Sequence, residues 1–257
     1  MGKTIVGRRM IFRIVAFMTV FPFALHAGDF NAVVLDQVAA MPQGGGYATT
    51  TPAHDALTEA VRPNSEGVTL LAPRAVPSFC SGATYLVFLK TLESLQKSGV
   101  IRLSRSQWGA LLPGRLADGE GVWGRWNANG PGTARLFHEL EIGRNFSGFE
   151  EARPGDFLKI FWSQSVGKSE RGHSVIYLGT EKKGGVECVR FWSSNKPAGY
   201  GEKSVPKSRV ARAIFSRLET PSNLSLLPVL PPRDAYLAGL LRKESGSAEV
   251  KQMTGLK

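Results

Sequence analysis

The sequence predicts an α+β protein in which helices come first and an antiparallel sheet follows. Two observations carry this. After Cys80, the apolar residues Tyr85, Leu86, Phe88, Leu89, Leu92 and Leu95 recur at helical spacing, and Gly99 supplies a stop. From Asp156 the period changes to short apolar runs, Phe157–Trp162, His173–Leu178 and Val186–Trp192, separated by turn residues. With 257 residues, 42% of them hydrophobic and including 14 Phe and 5 Trp, the chain can build one substantial core with extensions. Its 29 Gly and 15 Pro predict long loops.

The first 27 residues read as a signal peptide. Lys3, Arg8, Arg9 and Arg13 form a basic opening without an acid, Ile14–Leu25 is an apolar run broken by Pro22, and Leu25-His26-Ala27 offers a cleavage site. The run is too short for an ordinary transmembrane span, so no membrane anchor is expected once it is removed. The mature protein is therefore expected outside the cytoplasm, in the periplasm or beyond the cell. Setting aside the four leader cations, the net charge of +11 falls to +7, which suits an acidic partner such as a cell-wall polymer. Nucleic acid is a poor partner, because no basic run with interleaved aromatics occurs.

Residues 28–72 are rich in Gly, Pro, Thr and Ala, with Gly44-Gly45-Gly46 and Thr49-Thr50-Thr51-Pro52, and read as a linker. A domain over 73–220 follows. Its first helix is expected from Phe79 to Ser98 with Ser78 as N-cap. A short helix is expected over Ser104–Leu112 and another over Thr133–Glu141. Between them lies an irregular loop carrying Trp123, Arg125 and Trp126, either a substrate-contacting wall or a structural insertion. Arg153-Pro154-Gly155 is a turn into the first strand, and a fourth strand fits Ser208–Leu218. The Pro-containing stretch 221–257 reads as a peripheral, partly disordered extension.

Cys80 opens its helix, where the helix dipole and unpaired amides favour a thiolate. The alternatives are a buried apolar cysteine or a Cys80–Cys188 disulfide, since these are the two cysteines and an exported protein meets oxidising conditions. A nucleophilic thiol needs a base. His54 falls in the linker and His138 in a surface helix, whereas His173 opens an apolar strand, a place where its polar ring is not explained by packing.

Phe79-Cys80-Ser81-Gly82 before an apolar helix, Arg153-Pro154-Gly155-Asp156 before an apolar strand, and Gly172-His173-Ser174-Val175 opening the next strand together resemble the NlpC family of papain-like cysteine peptidases and the related CHAP amidases. The resemblance spans residues 77–200 in the family's order. It implies a papain-like fold, hydrolysis of peptide or amide bonds in peptidoglycan without metal or cofactor, Cys80 as nucleophile and His173 as base. Phe79 stands where an Asp is often found, and residues 100–150 look like an insertion.

The third member is expected where the hairpin after residue 178 brings the far end of the next strand back to His173. Asn195 there can accept from the imidazole, as in the papain-type Cys-His-Asn arrangement. Ser194 competes, because a one-residue slip exchanges the faces. Trp123, Arg125 and Trp126 are expected to wall the cleft and meet acidic stem-peptide termini, and Gln164 is a weaker oxyanion candidate. Two other outcomes remain open at this point: a non-catalytic wall-binding module of the same fold, or a secreted amidase or protease toxin with another substrate.

Overall fold

Helix and antiparallel strand meet as the two periods predict. A computed structural model describes Met1, Gly2 and residues 30–256; the expected signal peptide lies outside the described residues. The central helix runs over Cys80–Lys97. Before it come α1 (Asn31–Ala39), β1 (Gly44–Gly45), α2 (Thr51–Ala60) and the hairpin β2 (Val61–Asn64) with β3 (Gly67–Leu70), so the central helix is α3. After it come α4 (Arg105–Ala110), α5 (Gly121–Trp126), α6 (Gly132–Glu139) and β4 (Gly143–Phe146). The remaining strands are β5 (Phe157–Phe161), β6 (Gly172–Lys183), β7 (Val186–Asn195), β8 (Gly199–Pro206) and β9 (Arg212–Leu218), and the chain ends in α7 (Ala235–Leu240) and α8 (Ser247–Thr254).

Seven strands form one antiparallel sheet in the order β1-β8-β7-β6-β5-β9-β4. Strands β5 to β8 follow one another as a meander, and β9 crosses back to pair with β5. The period of two sorts side chains between the faces. Phe157, Ile176 and Trp192 join the main core around α3. Leu158, Ile160, Val175, Tyr177, Val189 and Phe191 join Phe215 in a second apolar cluster. Burial on both faces is why the runs in β5 and β6 read as nearly continuous.

Three expectations are corrected. Residues 28–72 are not a linker in their described part: Phe30 at the N-cap of α1, Val34 and Val38 on α1, and Ala53, Leu57 and Ala60 on α2 are buried in the main core. Their spacing of three and four residues is helical, but the Gly-, Pro- and Thr-rich segments around them make the stretch read as a linker. As a result α3 is covered nearly all round, with Ser81 through Leu89 buried, rather than exposing one polar face. The C-terminal stretch is folded too, with Leu237, Leu240 and Val250 buried. Finally, β8 was not expected, because Gly199-Tyr200-Gly201-Glu202-Lys203 carries too little apolar alternation.

One buried knot fixes the first core strand. Asp156 is fully buried and takes Arg217 Nε at 2.8 Å and Nη2 at 2.7 Å, one on each carboxylate oxygen. The same carboxylate also accepts from Asn31 Nδ2 at 2.8 Å and from the Arg153 backbone N–H at 2.7 Å. The Pro-Gly-Asp turn therefore ties α1, β5 and β9 together. Gly155 makes the turn with φ +96°, and a side chain there would press into the backbone of Asn31.

Candidate active site

Cys80 is the first residue of α3, and the residue before it, Phe79, is extended at φ −139°, ψ 162°. No side chain caps this end. The Ser78 hydroxyl, expected as the cap, instead donates to Ser194 Oγ at 2.8 Å. The first backbone bond of the helix is Ala83 N to Phe79 O, so the amides of Cys80, Ser81 and Gly82 precede it and point out of the helix end.

His173 is the second residue of β6, opposite Ile160 of β5, and is half-buried. Its Nε2 meets Asn195 Oδ1 at 3.2 Å. Asn195, the last residue of β7, is 7% exposed and donates through Nδ2 to the carbonyls of Gly201 (2.7 Å) and Ser193 (3.2 Å). Both donations fix the amide so that Oδ1 faces the ring. Nε2 then carries the proton that it gives Asn195, and Nδ1 is left for the thiol. Ser194 sits on the other side of β7 against Ser78. The strand period thus selects Asn195 over Ser194 as the residue beside the imidazole.

The Cys80 thiol faces His173 and the Ser174 amide, and both favour its thiolate form. Burial pushes its pKa up, but the hydrogen bond and charge of His173, the Ser174 amide and the charge of Lys159 outweigh burial, lowering it from 9.0 to about 7. A substantial fraction of Cys80 is therefore thiolate at neutral pH.

Tyr47 is the site residue that the sequence did not disclose. Its hydroxyl faces the Cys80 thiol, and burial, followed by the influence of Cys80, pushes its pKa up to about 12. A strap holds it in place: Gly46 N donates to Ala198 O and Tyr47 N to Pro197 O, both at 3.0 Å, while Ala48 N donates to Ser78 O at 2.9 Å. The three glycines before it all have φ between +71° and +83°, and a side chain on Gly45 would overlap Val76. The signal that could have found Tyr47 is this glycine triplet, read as a tight turn instead of as low complexity.

Trp123, Arg125 and Trp126 do not wall the cleft; they are buried on α5 behind the helix. Arg125 is fully buried, with Nε on Glu139 Oε2 at 2.8 Å and further donations to the carbonyls of Gly119, Gly121 and Pro231, each at 2.9 Å. Trp126 Nε1 donates to Ser81 O and Thr84 Oγ1, both at 3.2 Å, bracing the first turns of α3. A guanidinium so fully satisfied has no donor left for substrate.

The other candidates fall away on position. His54 lies 4.3 Å from the Phe79 ring, centroid to centroid, with its pKa lowered by burial. His138 is exposed on α6, and Gln164 is exposed and donates to Ala211 O at 3.0 Å. Both cysteines are free, so Cys80 and Cys188 are not bridged; Cys188 packs as a buried residue of β7. Among the described residues no group of three or more His, Cys, Asp or Glu is arranged to hold a metal ion, and no helix is long and apolar enough to cross a membrane.

A cleft of about 320 Å³ opens beside His173 and Asn195, with Tyr47, Trp162 and Phe191 among its walls. The arrangement can bring an electrophilic carbon to an activated thiol flanked by outward-pointing amides and a phenol. Set against family models, curated proteins and solved structures, the chain matches none of them.

Proposed function

We propose that the protein is an exported cysteine hydrolase of papain-like, NlpC-type plan that cleaves peptide or amide bonds, with peptidoglycan stem peptides as its substrate. The observation that carries this reading is the relay Cys80–His173–Asn195, with the thiol lowered to about 7 at the uncapped start of α3. A structural thiol has no need of an oriented imidazole, and a binding module has no need of a lowered thiol. The leader and the net positive charge of the remaining chain support export to an acidic polymer.

The chemistry follows from the atoms. His173 Nδ1 takes the thiol proton, and the thiolate attacks the scissile carbonyl carbon. The developing oxyanion accepts from the Cys80 amide and from the Tyr47 hydroxyl, whose raised pKa keeps it a donor. Nδ1–H then protonates the leaving nitrogen, the C–N bond breaks, and a thioester remains on Cys80. Water, deprotonated by His173, attacks the thioester, returns the thiol and releases the acid. Asn195 holds the ring by its Nε2–H throughout and stabilises the imidazolium.

The test incubates protein lacking residues 1–27 with purified peptidoglycan and follows released peptides by mass spectrometry. Wild type is expected to release new amine and acid ends, and Cys80→Ala none. Absence of product from wild type, or equal product from Cys80→Ala, would remove the hydrolase reading.

A further inference from the structure

The cleft beside His173 has a basic wall that the hydrolytic steps do not use. Lys196 follows Asn195 directly, Lys203 stands on β8 opposite Phe191, and Arg209 closes the 3-10 turn Lys207–Arg209 after β8. All three are exposed, and all three line the cleft. No Asp or Glu is among its described lining residues. Nor does any of the three form an ion pair among the described residues, in contrast to Lys207, which pairs with Glu187 at 2.9 Å. Glu202, next to Lys203, alternates to the opposite face of β8. Three uncompensated cations therefore converge on one small cavity, above an apolar surface formed by Trp162 and Phe191.

The side of the catalytic pair on which this cavity lies decides what it holds. His173 must return its proton to the leaving nitrogen, so the leaving half of the substrate rests against the imidazole. Cys80 does not line the cavity, whereas His173 and Asn195 do. Resting on the hydrolase reading above, we propose that this cleft is the leaving-group subsite and that Lys196, Lys203 and Arg209 receive a carboxylate there. The released amine is then a short peptide or amino acid that carries a free carboxylate close to the scissile nitrogen. The volume of about 320 Å³ is at the small end of ligand sites, which suits a chain end rather than the interior of a folded protein. Each exposed cation alone contributes little; their convergence without an opposing acid is what discriminates.

The experiment titrates Cys80→Ala protein with a pool of dipeptides bearing a free C-terminal carboxylate, and with the same pool as C-terminal carboxamides, read by ligand-detected NMR. The acid pool is expected to bind about tenfold more tightly than the amide pool, and the advantage to vanish in a Lys203→Gln, Arg209→Gln background. Equal binding of the two pools, no binding of the acid pool, or an advantage that survives the double substitution overturns the proposal. Inorganic phosphate that displaces the acid pool at equal concentration would reassign the wall to phosphate groups and also overturn it. These outcomes are independent of turnover. Loss of the acid preference with Cys80-dependent peptide release intact leaves the hydrolase reading standing; acid binding without any release removes both that reading and the role of the cleft in holding a leaving group.

Discussion

Cys80 is pulled in two directions: its half-buried position favours the neutral thiol, while His173, the Ser174 amide and Lys159 favour the thiolate. The second set wins, which places the titration near neutral pH rather than near 9.0. The rate of iodoacetamide alkylation of Cys80 is therefore expected to rise through a midpoint at about 7. In His173→Gln the imidazole's charge and hydrogen bond are gone, so the midpoint moves upward; an unchanged midpoint would mean that the pairing does not set the thiol. Cys80, His173 and Asn195 were legible in the sequence because each stands at the end of a regular element, where a polar residue interrupts an apolar run. Asn195 was separable from Ser194 only once the register was known. Tyr47 was illegible, since nothing local relates a tyrosine after three glycines to a thiol 33 positions later.

At the scale of elements, the Pro-Gly-Asp turn turned out to be structural rather than chemical. Asp156 binds Arg217 through both oxygens and is braced by Asn31 and by the Arg153 amide. Replacing it with Ala leaves Arg217, 3% exposed, without its carboxylate. Asp156→Ala is expected to cost about 3–5 kcal/mol of stability in urea unfolding; a loss below about 1 kcal/mol would show that the ion pair only balances its own desolvation. Strands β5, β6 and β7 and helix α3 were readable because long apolar runs leave few alternatives. Strand β8 was not, because it is an element with exposed charges and glycines whose pairing to β7 and β1 decides its conformation. Helices α1 and α2 were concealed because they are short and lie among Gly-, Pro- and Thr-rich segments.

Across the whole molecule, the ends hold the middle. Arg125 reaches Pro231 O, Arg135 Nε pairs with Asp234 at 2.9 Å, and Asn145 donates to Thr254 O at 2.7 Å. A chain ending at residue 220 would lose these acceptors while keeping the buried donors. It is expected to be insoluble or to melt well below the intact protein in calorimetry; equal melting temperatures would return the tail to the status of an appendage. Composition misled here because Pro-rich, polar sequence was equated with looseness, while the tail is built from short helices and 3-10 turns anchored by a few buried leucines. The tryptophan-rich stretch misled in the opposite sense: its aromatic and cationic residues are what a core needs beneath α3, not what a cleft displays.

The buried position of Phe30, together with the Asn31 contact to Asp156, sets a limit on how far the N-terminus can be trimmed without disturbing the fold. A processing enzyme that cut after Ala27 would leave that contact and the Tyr47 strap untouched. One that trimmed past Asn31 would unpick the Asp156 knot first and, if it reached Tyr47, the active site itself. On the proposed reading, a cut after Ala27 would fall three residues before Phe30, the first buried side chain among the described residues.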